Sequence, residues 1–155
     1  MNKTIIAVYG RTNEGKSDTI KKVCASIIRI FPNALPSEIE IDFSGDILLT
    51  ITLGNIKIGI ESQGDPNSRM ISEETIKKLA DKKFDKDLGG CDIIVCATRT
   101  GGMTVKKVEK IANDYDYSLL YISSFNGRNH NHEVLNQLAA ENIIEIIKSL
   151  IIGRL

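Results

Sequence analysis

The segment Thr4-Ile5-Ile6-Ala7-Val8-Tyr9-Gly10-Arg11-Thr12-Asn13-Glu14-Gly15-Lys16-Ser17 runs from an apolar stretch through a glycine-bounded turn into a polar, helix-compatible stretch. Its opening, rich in branched apolar residues and stopped by Gly10, predicts a strand buried on both faces. After Lys16, the residues Ile20, Val23, Cys24, Ile27, Ile28 and Phe31 recur at helical spacing until Pro32 and Pro36, which predicts a helix over 16–30. Between strand and helix, Gly10 to Ser17 satisfies G-x-x-x-x-G-K-[ST] without a gap. Glycines in such a turn let backbone N–H groups converge on phosphate oxygens at the positive end of the helix. Lys16 would then reach the β and γ oxygens, and the Ser17 hydroxyl would complete a Mg²⁺ shell. From average composition, the fixed positions would coincide by accident at roughly the one-percent level in a chain this long. The flanking strand and helix lower that further.

Outward from this unit the chain alternates strand-like and helix-like segments, without an internal repeat or a low-complexity linker. Strands are predicted at 38–43 and 46–53, with Gly54-Asn55 turning the second into 56–60 as a hairpin. A helix is predicted over 72–84 (Ile76, Leu79, Ala80, Phe84), its lysines and aspartates forming a solvated face. Gly89-Gly90 ends that unit, followed by a buried strand at 92–98, a helix at 105–115, a strand at 119–123 and a long helix at 133–152. This order predicts an α/β fold: a three-layer sandwich with a mostly parallel central sheet containing one antiparallel hairpin strand. One domain spans 1–155, and its strand-to-helix loops line one sheet edge.

Bulk properties agree with a compact domain. The 155 residues are 42% apolar and 26% charged, which suits a folded core and argues against overall disorder. Twenty basic and 20 acidic side chains cancel, so gripping a nucleic acid backbone is not indicated as the main activity. Cys24, Cys91 and Cys96 read as buried free thiols rather than a disulfide framework or a zinc site. The apolar start is too short for a secretory leader, and Glu145, Lys148 and Ser149 interrupt the most apolar segment, so no membrane span is expected. A soluble protein in a reducing, cytoplasmic setting is the expectation.

The loop resembles the Walker A motif of the P-loop NTPases. More narrowly, Gly10-Arg11-x-Asn13-x-Gly15-Lys16-Ser17 looks like the G-R-x-N-x-G-K-S form of bacterial GTPases of the ribosome-assembly type. Thr12 and Glu14 depart from the proline and valine usual there, and the Glu14 carboxylate repels phosphate unless it points outward. The resemblance implies a P-loop NTPase-like fold that takes a nucleoside triphosphate with Mg²⁺. After the hairpin, Glu61-Ser62-Gln63-Gly64-Asp65-Pro66 resembles the D-x-x-G turn of small GTPases, with Glu for Asp. By that likeness Glu61 would hold a magnesium-bound water, with Asp65 the alternative acid beside the metal, Gly64 would approach the γ-phosphate, and Gln63 or Asp65 would orient the attacking water. As a plain strand-to-helix turn with Gly-Asp-Pro punctuation, the same residues need no function. The N-K-x-D guanine reader is absent: the strand at 92–98 leads into Arg99-Thr100-Gly101-Gly102, so ATP is expected rather than GTP. Ile122-Ser123-Ser124-Phe125 is similar to the guanine-touching S-A-K turn only weakly, and without the aspartate it reads as a strand end.

The candidate site is therefore Gly10, Asn13, Glu14, Gly15, Lys16, Ser17, Asp18 and Gly64 for the nucleotide, and Ser17 with Glu61 for the metal. Lys16, Gln63, Asp65 and Arg99 are the candidate catalytic residues. Arg99 could stack on adenine or stabilise transferred charge, while Arg69 and Arg128 are further phosphate-reaching candidates. His130 and His132 read as a solvated loop, with Asn131 or His132 at the start of the last helix.

Three functions fit these residues: a Mg-dependent nucleoside triphosphatase with slow hydrolysis, a small-molecule or nucleotide kinase, and a nucleotide-binding regulatory module without significant turnover. The kinase needs an acceptor pocket and an arginine-rich lid, and the arginines are scattered without a lid-sized insertion. Glu14 and the Glu61 substitution favour the module. The apolar face of the last helix (Leu135, Leu138, Ile143, Ile146, Ile147, Leu150) suits its own core, or a protein partner or homodimer contact.

Overall fold

The branched run at the start of the chain forms β1 (Thr4–Tyr9), buried almost throughout. The periodic stretch after the loop forms α1 (Lys16–Ile30). The computed structural model describes residues 1–11, 15–62, 72–98 and 103–155, with 72–74, 103 and 104 described by their backbone. Beyond α1 come β2 (Leu35–Pro36), β3 (Leu48–Leu53) and β4 (Ile56–Glu61), then α2 (Ser72–Ala80) and β5 (Ile93–Thr98). The chain ends with α3 (Met103–Asp114), β6 (Ser118–Ser123) and α4 (His132–Ile151).

These strands make one sheet in the order β2-β3-β4-β5-β1-β6. β3 runs antiparallel to both β2 and β4, while β4, β5, β1 and β6 pair in parallel. Side-chain alternation divides the interior in two. Ile6 and Val8 of β1 face α1 and α4, packing with Ile20, Val23, Ile27, Ile143 and Ile147. Ile5 and Ala7 face the other way, onto Ile76 and Leu79 of α2 and Val108 and Ile111 of α3. Helices thus cover both faces, giving the expected three layers. Each fully buried isoleucine or leucine contributes roughly 1.5–3 kcal/mol, so both layers are strongly held to the sheet. No helix among the described residues is long and apolar enough to cross a membrane.

The segment 38–43 is not a strand, contrary to its alternating apolar pattern. The short β2 takes the edge position instead, and its pairing is extended by Ser37 N–H to the Thr50 carbonyl (2.8 Å) and Thr50 N–H to Ser37 Oγ (3.0 Å). Proline at 36 is tolerated because β2 is an edge strand. Downstream, the Asp42 carboxylate accepts from Ser44 N–H (2.9 Å) and Ser44 Oγ (2.6 Å), which bends the chain, and Ile39 stands fully exposed. β3 consequently starts at Leu48 rather than 46. α2 ends at Ala80, short of Phe84, whose ring lies in the following turn under the Lys77 amine, 4.7 Å from its centroid.

All three cysteines are buried free thiols, as expected from their number and spacing. Burial pushes Cys24 up to about 12, with Glu38 adding to it, and pushes Cys91 up to about 12. Cys96 is raised as well, by burial first and by Glu61 second.

Candidate functional site

The candidate site lies at the edge where β5, β1 and β6 finish side by side. Gly10 N–H donates to the Thr98 carbonyl (3.3 Å), and Ser124 N–H donates to the Tyr9 carbonyl (3.0 Å). Above this edge the chain re-enters regular structure at Gly15, the N-cap of α1, in the left-handed conformation (φ 79°, ψ 15°). That conformation favours glycine over any residue with a Cβ. Lacking a side chain, Gly15 provides no capping acceptor for the first turn of α1.

Lys16 opens the helix, yet its side chain turns back. Its Nζ donates to the Gly10 carbonyl at 2.9 Å, and the residue is only 7% exposed. The ammonium therefore bridges the two ends of the loop, and a buried ammonium persists only with polar partners of this kind. Ser17, in the same first turn, donates its hydroxyl to Asp46 Oδ1 at 3.5 Å. Asp46 Oδ1 also accepts from Ser62 Oγ (3.1 Å), and Ser62 Oγ in turn accepts from Ile47 N–H (2.8 Å). Helix α1, the entry to β3 and the exit of β4 thus meet at one carboxylate.

A second contact comes from α4. A Cβ at Gly15 would overlap the side-chain amide of Asn136, whose Cγ lies 3.2 Å from that position. Asn136 is buried on the face of α4 that carries Ala139, Ala140 and Ile143. The ion pair between Lys22 of α1 and Glu133 of α4 (2.5 Å) closes the same junction nearer the surface. Asn131 caps α4, accepting from Glu133 N–H (3.0 Å) and Val134 N–H (3.3 Å).

Of the residues singled out in the sequence, Gly10, Gly15, Lys16 and Ser17 come together around the β1–α1 loop. Asp18 is exposed in the first turn of α1. Glu61 is fully buried. It pairs in register with Cys96, which is level with Ala7, so it sits two residues below the ends of β5 and β1 on the α2/α3 face. β5 lies between β4 and β1, so two inter-strand steps, roughly 10 Å, separate Glu61 from β1. Asn13, Glu14, Gln63, Gly64, Asp65, Arg69 and Arg99 lie outside the described residues. Arg128, His130 and His132 are exposed around the start of α4. Among the described residues no group of three or more His, Cys, Asp or Glu side chains could hold a metal ion.

Asp46 and Asn136 are the functional candidates that sequence reasoning missed. Asn136 had a signal, since it falls on the stripe of Ala139, Ala140, Ile143 and Ile147 that a helical projection buries. Asp46 had none, being one acid in a polar connection, 29 residues from the Ser17 it touches.

Compared with protein-family models, with curated proteins and with solved structures, the chain matches none.

Proposed function

We propose that this chain has a P-loop NTPase-like fold, binds a magnesium nucleoside triphosphate on the loop between β1 and α1, and slowly hydrolyses its β-γ bond. The observation that carries this is Lys16: its ammonium lies across the loop at 2.9 Å from the Gly10 carbonyl, directly after a left-handed glycine at a helix N-terminus. A lysine held there exchanges a carbonyl for phosphate oxygens without changing its place in the helix. Backbone N–H groups of the first turn of α1 add a positive field aimed at the same anion.

The donors near Ser17 suit Mg²⁺, a hard cation that takes oxygen ligands and one or two carboxylates together with phosphate. Ser17 Oγ would hold it, and bound there it would neutralise charge on the β and γ oxygens. The rest of the chemistry is done by the chain: Lys16 stabilises charge that moves onto the leaving group, and the loop amides fix the phosphate chain in line. Gln63 or Asp65 orients the attacking water, and Arg99 stabilises charge on the transferred group. ATP is favoured over GTP because the segment after β5 carries Arg99-Thr100-Gly101 in place of a guanine-reading carboxylate.

Phosphate release from Mg-ATP without an acceptor tests this directly. Slow release by the wild type, lost in Lys16→Ala, is expected. Release only on addition of an alcohol or nucleotide acceptor would make the protein a kinase, and tight binding without release would make it a regulatory module.

A further inference from the structure

We infer that Asp46 is the carboxylate that supports the divalent cation beside Ser17, in the position the sequence suggested for Glu61. This rests on the phosphate-site reading above and adds to it a residue from a different part of the chain.

The Asp46 carboxylate is held by two hydroxyls. Ser62 Oγ accepts the Ile47 N–H at 2.8 Å and so must spend its single proton on Asp46 Oδ1, at 3.1 Å. The Ser62–Ile47 link is reinforced by Ser62 N–H donating to the Ile47 carbonyl at 3.1 Å, which extends the β3–β4 ladder past its last pair. Asp46 is thereby fixed to the rigid end of a hairpin even though it sits in an exposed connection. The Ser17 hydroxyl then points at the same oxygen from α1, at 3.5 Å. Both hydroxyls meet Oδ1, which would leave Oδ2 as the oxygen to meet a cation or its bound water. A hydroxyl and a carboxylate presented together at a phosphate loop are the ligand types that Mg²⁺ combines with phosphate oxygens and waters.

Glu61 is arranged differently. Strand alternation sends it to the α2/α3 face, opposite Cys96, whereas Ser62 turns to Asp46. The functional residue of the Glu61-Ser62 pair is thus the serine, acting as a positioning residue for Asp46.

The test is Mn²⁺ binding, followed by electron paramagnetic resonance, to wild type, Asp46→Asn and Asp42→Asn, each saturated with ADP, alongside ADP affinity in EDTA. Asp46→Asn should weaken Mn²⁺ at least tenfold and leave metal-free ADP affinity unchanged or tighter. Asp42→Asn, which removes an exposed charge from the same connection, should match wild type. Wild-type Mn²⁺ affinity in Asp46→Asn, or a loss in Glu61→Gln that Asp46→Asn does not share, would overturn the assignment to Asp46 alone. Failure of wild type to bind ADP with or without metal would overturn the phosphate site itself. Because Asp46 is exposed, its variant is expected to fold, and an unchanged far-ultraviolet circular dichroism spectrum checks this.

Discussion

Replacing Gly15 by alanine should injure the loop in two separable ways. At φ 79° a Cβ costs roughly 1–2 kcal/mol of backbone strain. The added methyl also overlaps the Asn136 amide, with Cγ at 3.2 Å and Oδ1 closer still. Relieving such an overlap in a packed junction costs roughly 1–3 kcal/mol. Together Gly15→Ala should lose about 2–5 kcal/mol, summed from those strain and overpacking ranges. Asn136→Ala clears the overlap and leaves the backbone strain. In that background Gly15→Ala should cost only about 1–2 kcal/mol, so the pair should show a coupling of about 1–3 kcal/mol. Urea unfolding of the four proteins measures this, provided the m-value stays constant. An equal cost of Gly15→Ala in both backgrounds would refute the proposed clash and leave only the φ term.

Other positions give independent checks. Gly59→Ala places a methyl 2.9 Å from Cys91 Sγ and 3.1 Å from both Leu79 methyls, so it should destabilise by about 1–3 kcal/mol, read from the denaturation midpoint. Tyr117→Phe removes a buried hydrogen bond to the Cys91 carbonyl (2.5 Å) and should cost about 1–3 kcal/mol in the same assay. The buried thiols hold their protons longer in the folded chain than in the unfolded one, from an ordinary 9.0 up to about 12 for Cys24 and Cys91. Stability should therefore be unaffected below pH 9 and fall between pH 9 and 12, by at most about 1.4 kcal/mol per pH unit per thiol. A midpoint that is flat across that window would contradict this, as would rapid labelling of the native thiols by Ellman's reagent at pH 8.

What was legible in the sequence, and what was not, follows from the range of the forces involved. β1 and α1 were legible to the residue because branched apolar density, a glycine stop and helical spacing are all local signals. The segment 38–43 misled because alternation of Ile39, Ile41 and Phe43 says nothing about whether an edge partner exists. The Asp42–Ser44 turn and the pairing of Leu35–Pro36 with β3 removed that partner. Sheet order was equally hidden: only the register shows that β5 separates β4 from β1 and sinks Glu61 below the edge. The loop residues Gly10, Gly15, Lys16 and Ser17 were recognisable as a motif, whereas Asp46 and Asn136 reach the same place through tertiary contacts.

Calorimetric titration of ATP and GTP in Mg²⁺, with wild type and Lys16→Ala side by side, decides whether the loop between β1 and α1 is a phosphate site. Wild type should bind ATP in preference to GTP, and Lys16→Ala should bind at least tenfold more weakly, a loss of about 1.4 kcal/mol or more. Absence of binding by wild type, or equal binding by Lys16→Ala, would rule out a phosphate site there and reduce the loop to a structural turn.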